Sequence, residues 1–287
     1  MSKKKQLDAQ IVICGRGGQG ILFLTRLLDE AAILLGSNVI SSETHGMAMR
    51  GGSVTSHIRI GNYLSPLIPS GEAEETMTKM IPDLEGYFRG LAPDSDALLL
   101  ELEAEAERES IPIVGPVVGE LLFVLARATG AKHILELGTA AGYSGIFLGR
   151  ACAQIPGRVI SLELDEGMAV RARGNLARAG LTEVVEVRVG EALKLMAEMS
   201  ETFDLIFLDI DKESYLPALS LCRRLLRAGG LLVADNVGFS GAADFNREIL
   251  ENPAWRAVHL LTFLPRHSPE HDGLALAVKE GRSGKLW

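Results

Sequence analysis

Two short apolar runs, Leu205-Ile206-Phe207-Leu208 and Leu231-Leu232-Val233-Ala234, each end in an aspartate and constrain this chain more than any other feature. Alternate side chains of a strand point to opposite faces, so a run with no polar residue suits a parallel strand covered on both sides. Between the runs, from Glu213 to Leu226, the apolar positions Leu216, Leu219, Leu221, Leu225 and Leu226 suit a covering helix stopped by Gly229-Gly230. Strand, helix and strand in that order form a crossover, which brings Asp209 and Asp235 to the same carboxyl edge of one parallel sheet. Ligands of open α/β sheets bind at that edge. Asp209, Asp235 and the amide of Asn236 offer oxygen donors only, a set better suited to Mg²⁺, Mn²⁺ or Ca²⁺ than to Zn²⁺. The alternative is that the acids merely end their strands for solubility and that Asp235-Asn236 caps the next helix. Lys212, one turn beyond Asp209, adds a group that can take a proton.

At 287 residues and 47% hydrophobic content, the chain can build one large or two modest cores. A net charge of −8 argues against a phosphate-binding surface, so no nucleic-acid partner is expected, and Lys3-Lys4-Lys5 and Arg223-Arg224 read as a solvated tail and helix face. The first apolar stretch breaks at Gly15-Arg16-Gly17, too soon for a signal peptide, and no later stretch approaches a membrane span. Cys14, Cys152 and Cys222 lack metal or redox spacing and read as buried thiols, which with the missing leader implies a cytoplasmic protein.

Residues 1–74 read as a small, partial α/β unit. The strand Ile11-Val12-Ile13-Cys14 runs into GRGGQG at Gly15 to Gly20, an apolar helix spans Ile21 to Leu35, and Val39-Ile40 and Ser53 to Ile60 give further strands. Gly15, Gly17 and Gly20 satisfy G-x-G-x-x-G, with Glu43 near the place of a ribose-binding acid, but this stretch is too short for a complete dinucleotide fold. The run ETHGMAMRGGSVTSHIRIG from Glu43 to Gly61, with GRGGQG before and SPLIPSGEAE after it, resembles the opening of the gamma-type domain of 2-oxoacid:ferredoxin oxidoreductases, indolepyruvate oxidoreductase small subunits in particular. The chain has no cluster-type cysteine run, so the unit reads as a structural or docking module without that redox activity.

Residues 75–287 read as the catalytic unit. Helices are expected from Glu75 to Ser110 and from Val117 to Ala128. HILELGTAAGYSG, His133 to Gly145, is a strand and a loop whose Gly138 and Gly142 allow close approach to a ligand before a helix near Ser144. Val159 to Leu164 ends at Glu163, placed to bind ribose hydroxyls, and Val184 to Val189 ends in Gly190-Glu191-Ala192, small enough to admit an adenine edge. Val258 to Leu264 and Gly273 to Val278 form a final strand pair, the last strand antiparallel. Between them His267 and His271 stand four apart, but a loop with two prolines does not present them as one helical face.

The E-x-G-x-x-x-G loop, FLDIDKESY and ADNV together resemble the class I S-adenosylmethionine-dependent methyltransferases, and within them the cation-dependent O-methyltransferases that include the catechol and caffeoyl-CoA enzymes. The resemblance implies a Rossmann-like, doubly wound, mostly parallel seven-stranded sheet with one antiparallel strand, and a homodimer. It implies cofactor contacts at Val114, Glu136, Gly138, Thr139, Gly142, Ser144, Glu163, Ala192, Asp209 and Asp211. It also implies a divalent cation, Mg²⁺ or alternatively Mn²⁺ or Ca²⁺, on Asp209, Asp235 and Asn236, with Asp209 and Lys212 catalytic and Lys212 the general base. The expected substrate is a small aromatic molecule with a hydroxyl to methylate. Two alternatives stay open: a noncatalytic S-adenosylmethionine-binding subunit docking to a 2-oxoacid oxidoreductase through residues 1–74, and a methyltransferase with a nitrogen or non-aromatic acceptor.

Overall fold

The computed structural model describes residues 8–16, 21–45, 53–68 and 80–281, and the chain divides into two compact units, Met1–Pro82 and Asp83–Trp287. In the first unit, β1 (Ala9–Arg16), α1 (Ile21–Leu34), β2 (Val39–His45) and β3 (Ser53–Ile60) form a three-stranded antiparallel sheet in the order β1-β3-β2. Inserting β3 separates β1 from β2, the pair that a dinucleotide fingerprint needs side by side. Gly17 to Gly20 of the glycine-rich loop lie outside the described residues. Ala9, Ile11 and Ile13 pack on the small core around Ile58, whereas Cys14 is exposed and corrects the expectation of a buried thiol. The two-residue period of a strand puts Cys14 on the face opposite Ile13.

The second unit opens with α2 (Leu84–Arg89), α3 (Ala97–Glu109) and α4 (Gly115–Ala128), α3 being capped by Asp96, whose side chain accepts from Leu99 N. Strands and helices then alternate: β4 (His133–Leu137), α5 (Tyr143–Ala153), β5 (Arg158–Glu163), α6 (Glu166–Arg178), β6 (Val185–Val189), α7 (Ala192–Glu198), β7 (Phe203–Leu208), α8 (Tyr215–Leu225), β8 (Leu226–Ala234), α9 (Ala243–Glu251), β9 (Trp255–Phe263) and β10 (His271–Lys279). The sheet order is β6-β5-β4-β7-β8-β10-β9, with β10 antiparallel to both neighbours and the pairs from β6 through β8 parallel. This is the mostly parallel seven-stranded α/β sheet with one antiparallel strand that the motifs imply.

The apolar runs are continuous because the sheet has a core on each face. Leu205 and Phe207 of β7 join Val118, Leu122 and Ile146 of α4 and α5 on one side. Ile206 and Leu208 join Met196, Leu219 and Phe245 of α7, α8 and α9 on the other. Truncating one such buried leucine to alanine costs roughly 2–5 kcal/mol. The expected glycine stop after α8 is not used. The helix ends at Leu225, and Gly229-Gly230 lie in the irregular first half of β8, where a Cβ at Gly230 would come within 3.0 Å of the Asp204 carbonyl oxygen. Chain order leaves β4 in opposite directions, toward β5 and toward β7, so the switch point that favours ligand binding falls between β4 and β7. Among the described residues no helix is long and apolar enough to cross a membrane.

Candidate functional site

A cavity of about 770 Å³ opens at the carboxyl edge of the sheet over this switch point. Gly138, directly after β4, runs against the strand end beside it: its φ is +85°, and a Cβ there would stand 1.9 Å from the Asp209 carbonyl oxygen. The contact is backbone on backbone, so only glycine fits. The ends of β4 and β7 are tied by the Asp209 N to Leu137 O hydrogen bond at 2.9 Å, and the ends of β7 and β8 by Asp235 N to Leu208 O at 3.1 Å. Asp209 and Asp235 therefore leave neighbouring strands at the same level, as the crossover argument requires.

On the β4–β5 side, Glu163 lines the cavity with both carboxylate oxygens fixed, Oε2 accepting from Ala140 N at 2.8 Å and Oε1 from Asp165 N at 2.9 Å. Ala192, at the start of α7, and Asp211 line the same cavity. Val114, Glu136, Thr139, Gly142 and Ser144 are not among the residues that line it. Glu136 is wholly buried and accepts from Ser161 Oγ at 2.5 Å. Burial raises its carboxyl above the ordinary range, against the Ser144, Ser161 and Thr139 hydroxyls that favour the charged form. Among the described residues, Glu136 Oε1 and Thr139 Oγ1 are buried with no hydrogen bond of good geometry, an uncommon state for such atoms. Gly142 adopts φ +88° to cap α5, and a Cβ there would meet the Ala172 backbone at 3.1 Å.

On the β7–β8 side, Lys212 Nζ donates to Asp209 Oδ1 at 2.9 Å and to the Tyr215 hydroxyl at 3.0 Å. Partial burial, with a quarter of the Asp209 side chain still exposed, raises its carboxyl, Lys212 opposes this, and Asp235 adds to it. Tyr215 is fully buried at the start of α8, its hydroxyl 2.9 Å from the Asp235 carbonyl oxygen and 3.1 Å from that of Leu208. It thus joins the ends of both acid-bearing strands. Asn236 holds φ +49°, a left-handed conformation that asparagine tolerates, and its Nδ2 donates to Asp272 Oδ2 at 2.6 Å. That bond fixes the amide, so its oxygen is presented on the other side.

The residue that sequence reasoning missed is His267. It is buried, and its Nε2 lies 2.9 and 3.1 Å from the two Asp235 oxygens, while His271 is an exposed partner of Glu85. Burial lowers the His267 ring pKa, but the hydrogen bond and charge of Asp235 outweigh it, and the net direction is upward. Its one sequence signal was the His267–His271 spacing in the loop before the last strand, which the two prolines argued against. Among the described residues no three His, Cys, Asp or Glu side chains converge as metal ligands, so a cation here depends on the Asn236 amide as well. The acidic pair, the oriented amide and the open cavity otherwise form a hard-donor set that fits a divalent ion.

Comparison with known proteins gives two families. A sequence model described as O-methyltransferase matches residues 92–260, and one described as pyruvate ferredoxin/flavodoxin oxidoreductase matches residues 10–150, running past residue 74 into the second unit. Catechol O-methyltransferase of Niastella koreensis is 38% identical over 71% of this chain and 96% of its own length. Indolepyruvate oxidoreductase subunit IorB of Archaeoglobus fulgidus is 36% identical over 44% of this chain and 66% of its own. The crystal structure of an O-methyltransferase from Bacillus cereus in complex with SAH superposes with a TM-score of 0.62 at 32% identity, covering 68% of this chain and 96% of that one.

Proposed function

Because the chain belongs to the O-methyltransferase family, we propose that it moves the sulfonium methyl group of S-adenosylmethionine to one hydroxyl of a catechol-like aromatic acceptor, with a divalent cation. The observation that carries this reading is one cavity lined both by Glu163 and Ala192 and by Asp209, Lys212, Asp235 and Asn236. Cofactor binding alone would not need the second group, which disfavours a noncatalytic subunit.

The fixed carboxylate of Glu163 receives the ribose hydroxyls, Ala192 leaves room for the adenine, and Asp211 faces the same ligand. Gly138 and Gly142 shape the loop, and Val114 supports it at the start of α4. Glu136, Thr139 and Ser144 are assigned to the methionine end, where Glu136 Oε1 and Thr139 Oγ1 are buried without a hydrogen bond of good geometry. Asp209, Asp235 and Asn236 would hold the cation, whose Lewis acidity stabilises the deprotonated acceptor hydroxyl. Lys212 is the general base that takes the hydroxyl proton. The acceptor oxygen then bonds to the methyl carbon in line as the carbon–sulfur bond breaks, and that electron pair stays on sulfur as the thioether. Alignment of the two reactants is the main contribution of the cavity walls.

Labelled S-adenosylmethionine with a catechol panel tests the reading. Label is expected in the catechols, to be lost on chelation and restored by Mg²⁺ or Mn²⁺. Transfer untouched by chelation would refute the cation assignment, and no transfer to any hydroxylated aromatic would refute the acceptor class. Glu163→Gln is expected to weaken S-adenosylmethionine binding roughly tenfold, about 1.4 kcal/mol, because charge-assisted hydrogen bonds become neutral ones. Titration calorimetry of the two proteins checks this, and equal affinities would remove Glu163 from the ribose site.

A further inference from the structure

Phe239 and Ser240, in the loop between β8 and α9, line the reaction cavity and also a second groove of about 750 Å³, so the two spaces meet at this loop. The loop is held by its main chain. Phe239 N donates to Asn236 O at 3.3 Å, and Ala242 N donates to Phe239 O at 3.0 Å. The flanking glycines leave no slack: a Cβ at Gly238 would stand 2.6 Å from Asp272 Oδ1, and one at Gly241 2.9 Å from Glu213 Oε1. So held, the Phe239 side chain remains about half exposed at the junction.

The groove offers a different chemistry from the cavity, because its polar groups are already taken. Asn246 Nδ2 donates to Val237 O at 2.7 Å, and its Oδ1 lies 3.1 Å from His259 Nε2. Burial holds the His259 ring below its ordinary pKa, which keeps it neutral. Asp272 accepts from Asn236 Nδ2 at 2.6 Å, from Gly273 N at 2.6 Å and from Gly238 N at 3.1 Å, and His271 is paired with Glu85. What the groove still offers a ligand is apolar: Leu250, Leu260 and Leu261 line it, and Leu261 is 91% exposed. Hydrocarbon laid along these leucines would remove apolar surface from water on both sides. A charged group placed there would lose hydration and find no free partner.

We propose that the acceptor is a catechol with an uncharged, apolar ring substituent, which passes Phe239 and lies along Leu250, Leu260 and Leu261. The proposal rests on the catechol reading above and deepens it by naming the substituent. Phe239 divides the recognition of the dihydroxy ring from that of its tail, and the change from ionic to apolar lining at this residue matches a molecule of two such parts.

Catechol, propylcatechol and hexylcatechol, methylated by the full-length protein, test this. The ratio kcat/KM is expected to rise along the series by up to roughly fourfold for each methylene that the groove buries. A carboxylate at the end of the hexyl chain is expected to cancel most of the gain. Leu261→Ser and Phe239→Ala are expected to flatten the rise. Each slope compares substrates within one protein, so a smaller folded fraction in a variant does not alter it. Catechol methylated with a flat series would overturn the proposal and leave the catechol reading standing. A slope unchanged in Leu261→Ser would overturn it likewise, as would a carboxylate-ended chain used as well as the hexyl one. No transfer to any member of the series would remove the catechol reading, and this proposal with it.

Discussion

Replacing Lys212 by methionine is expected to lower kcat for methyl transfer by roughly 10²- to 10⁴-fold, the usual worth of a positioned general base, while S-adenosylmethionine affinity stays near that of the parent. Methionine keeps an unbranched apolar stem close to that of lysine and lacks the terminal nitrogen, which donates to Asp209 and to the Tyr215 hydroxyl. Tyr215 retains its two carbonyl neighbours, so the ends of β7 and β8 remain joined. Single-turnover kinetics with an ordinary catechol and with one of lower hydroxyl pKa distinguish the roles. A base is needed less by the more acidic acceptor, so the deficit should shrink for it. An equal deficit for both would assign Lys212 to holding Asp209, and a kcat within threefold of the parent would exclude it as the base.

Gly138→Ala is expected to have the largest effect on stability. The new Cβ would lie 1.9 Å from the Asp209 carbonyl oxygen at a backbone φ of +85°, so both a clash and a left-handed penalty apply. The obstruction is backbone, and relief requires parting the ends of β4 and β7. A cost of roughly 3 kcal/mol is in line with other clashes at special backbone positions, and in a unit of this size it lowers Tm by roughly 6–12 °C. Thermal unfolding followed by circular dichroism checks this. Because the displaced group belongs to Asp209, methyl transfer should fall beyond what the unfolded fraction explains. An alanine variant with parental Tm and activity would show that the loop and strand end are not in the contact described.

The elements that were legible in the sequence were those whose side chains obey a period. β7 and β8 could be placed because burial on both faces leaves no polar residue in the run, and the acids at their ends followed from the crossover. Lys212 and Asn236 were legible by adjacency to those ends. His267 was not, because a loop held by Arg89, Arg266 and Glu270 has no repeat from which a side-chain direction can be read. Tyr215 was missed for another reason: its hydroxyl is satisfied mainly by main-chain carbonyls, which every residue carries and no sequence distinguishes. Glu136 was placed by its motif alone, and its burial within β4 beside Ser161 of β5 comes from strand pairing that the motif does not show. Cys14 was misread because an apolar neighbourhood does not say which face of a strand a residue takes.

The register that pairs Leu208 with Ala234 and Leu137 with Leu208 has an evolutionary corollary. The chemistry stands on ladder-spaced main chain whose separation, about 4.8 Å between strands, cannot drift without unzipping the sheet. Connecting segments such as Phe239 to Gly241 and the stretch around Ser268, by contrast, border the cavity from outside that ladder. Swapping those segments is expected to alter which molecules are accepted while the strand ends that carry Asp209 and Asp235 stay in register.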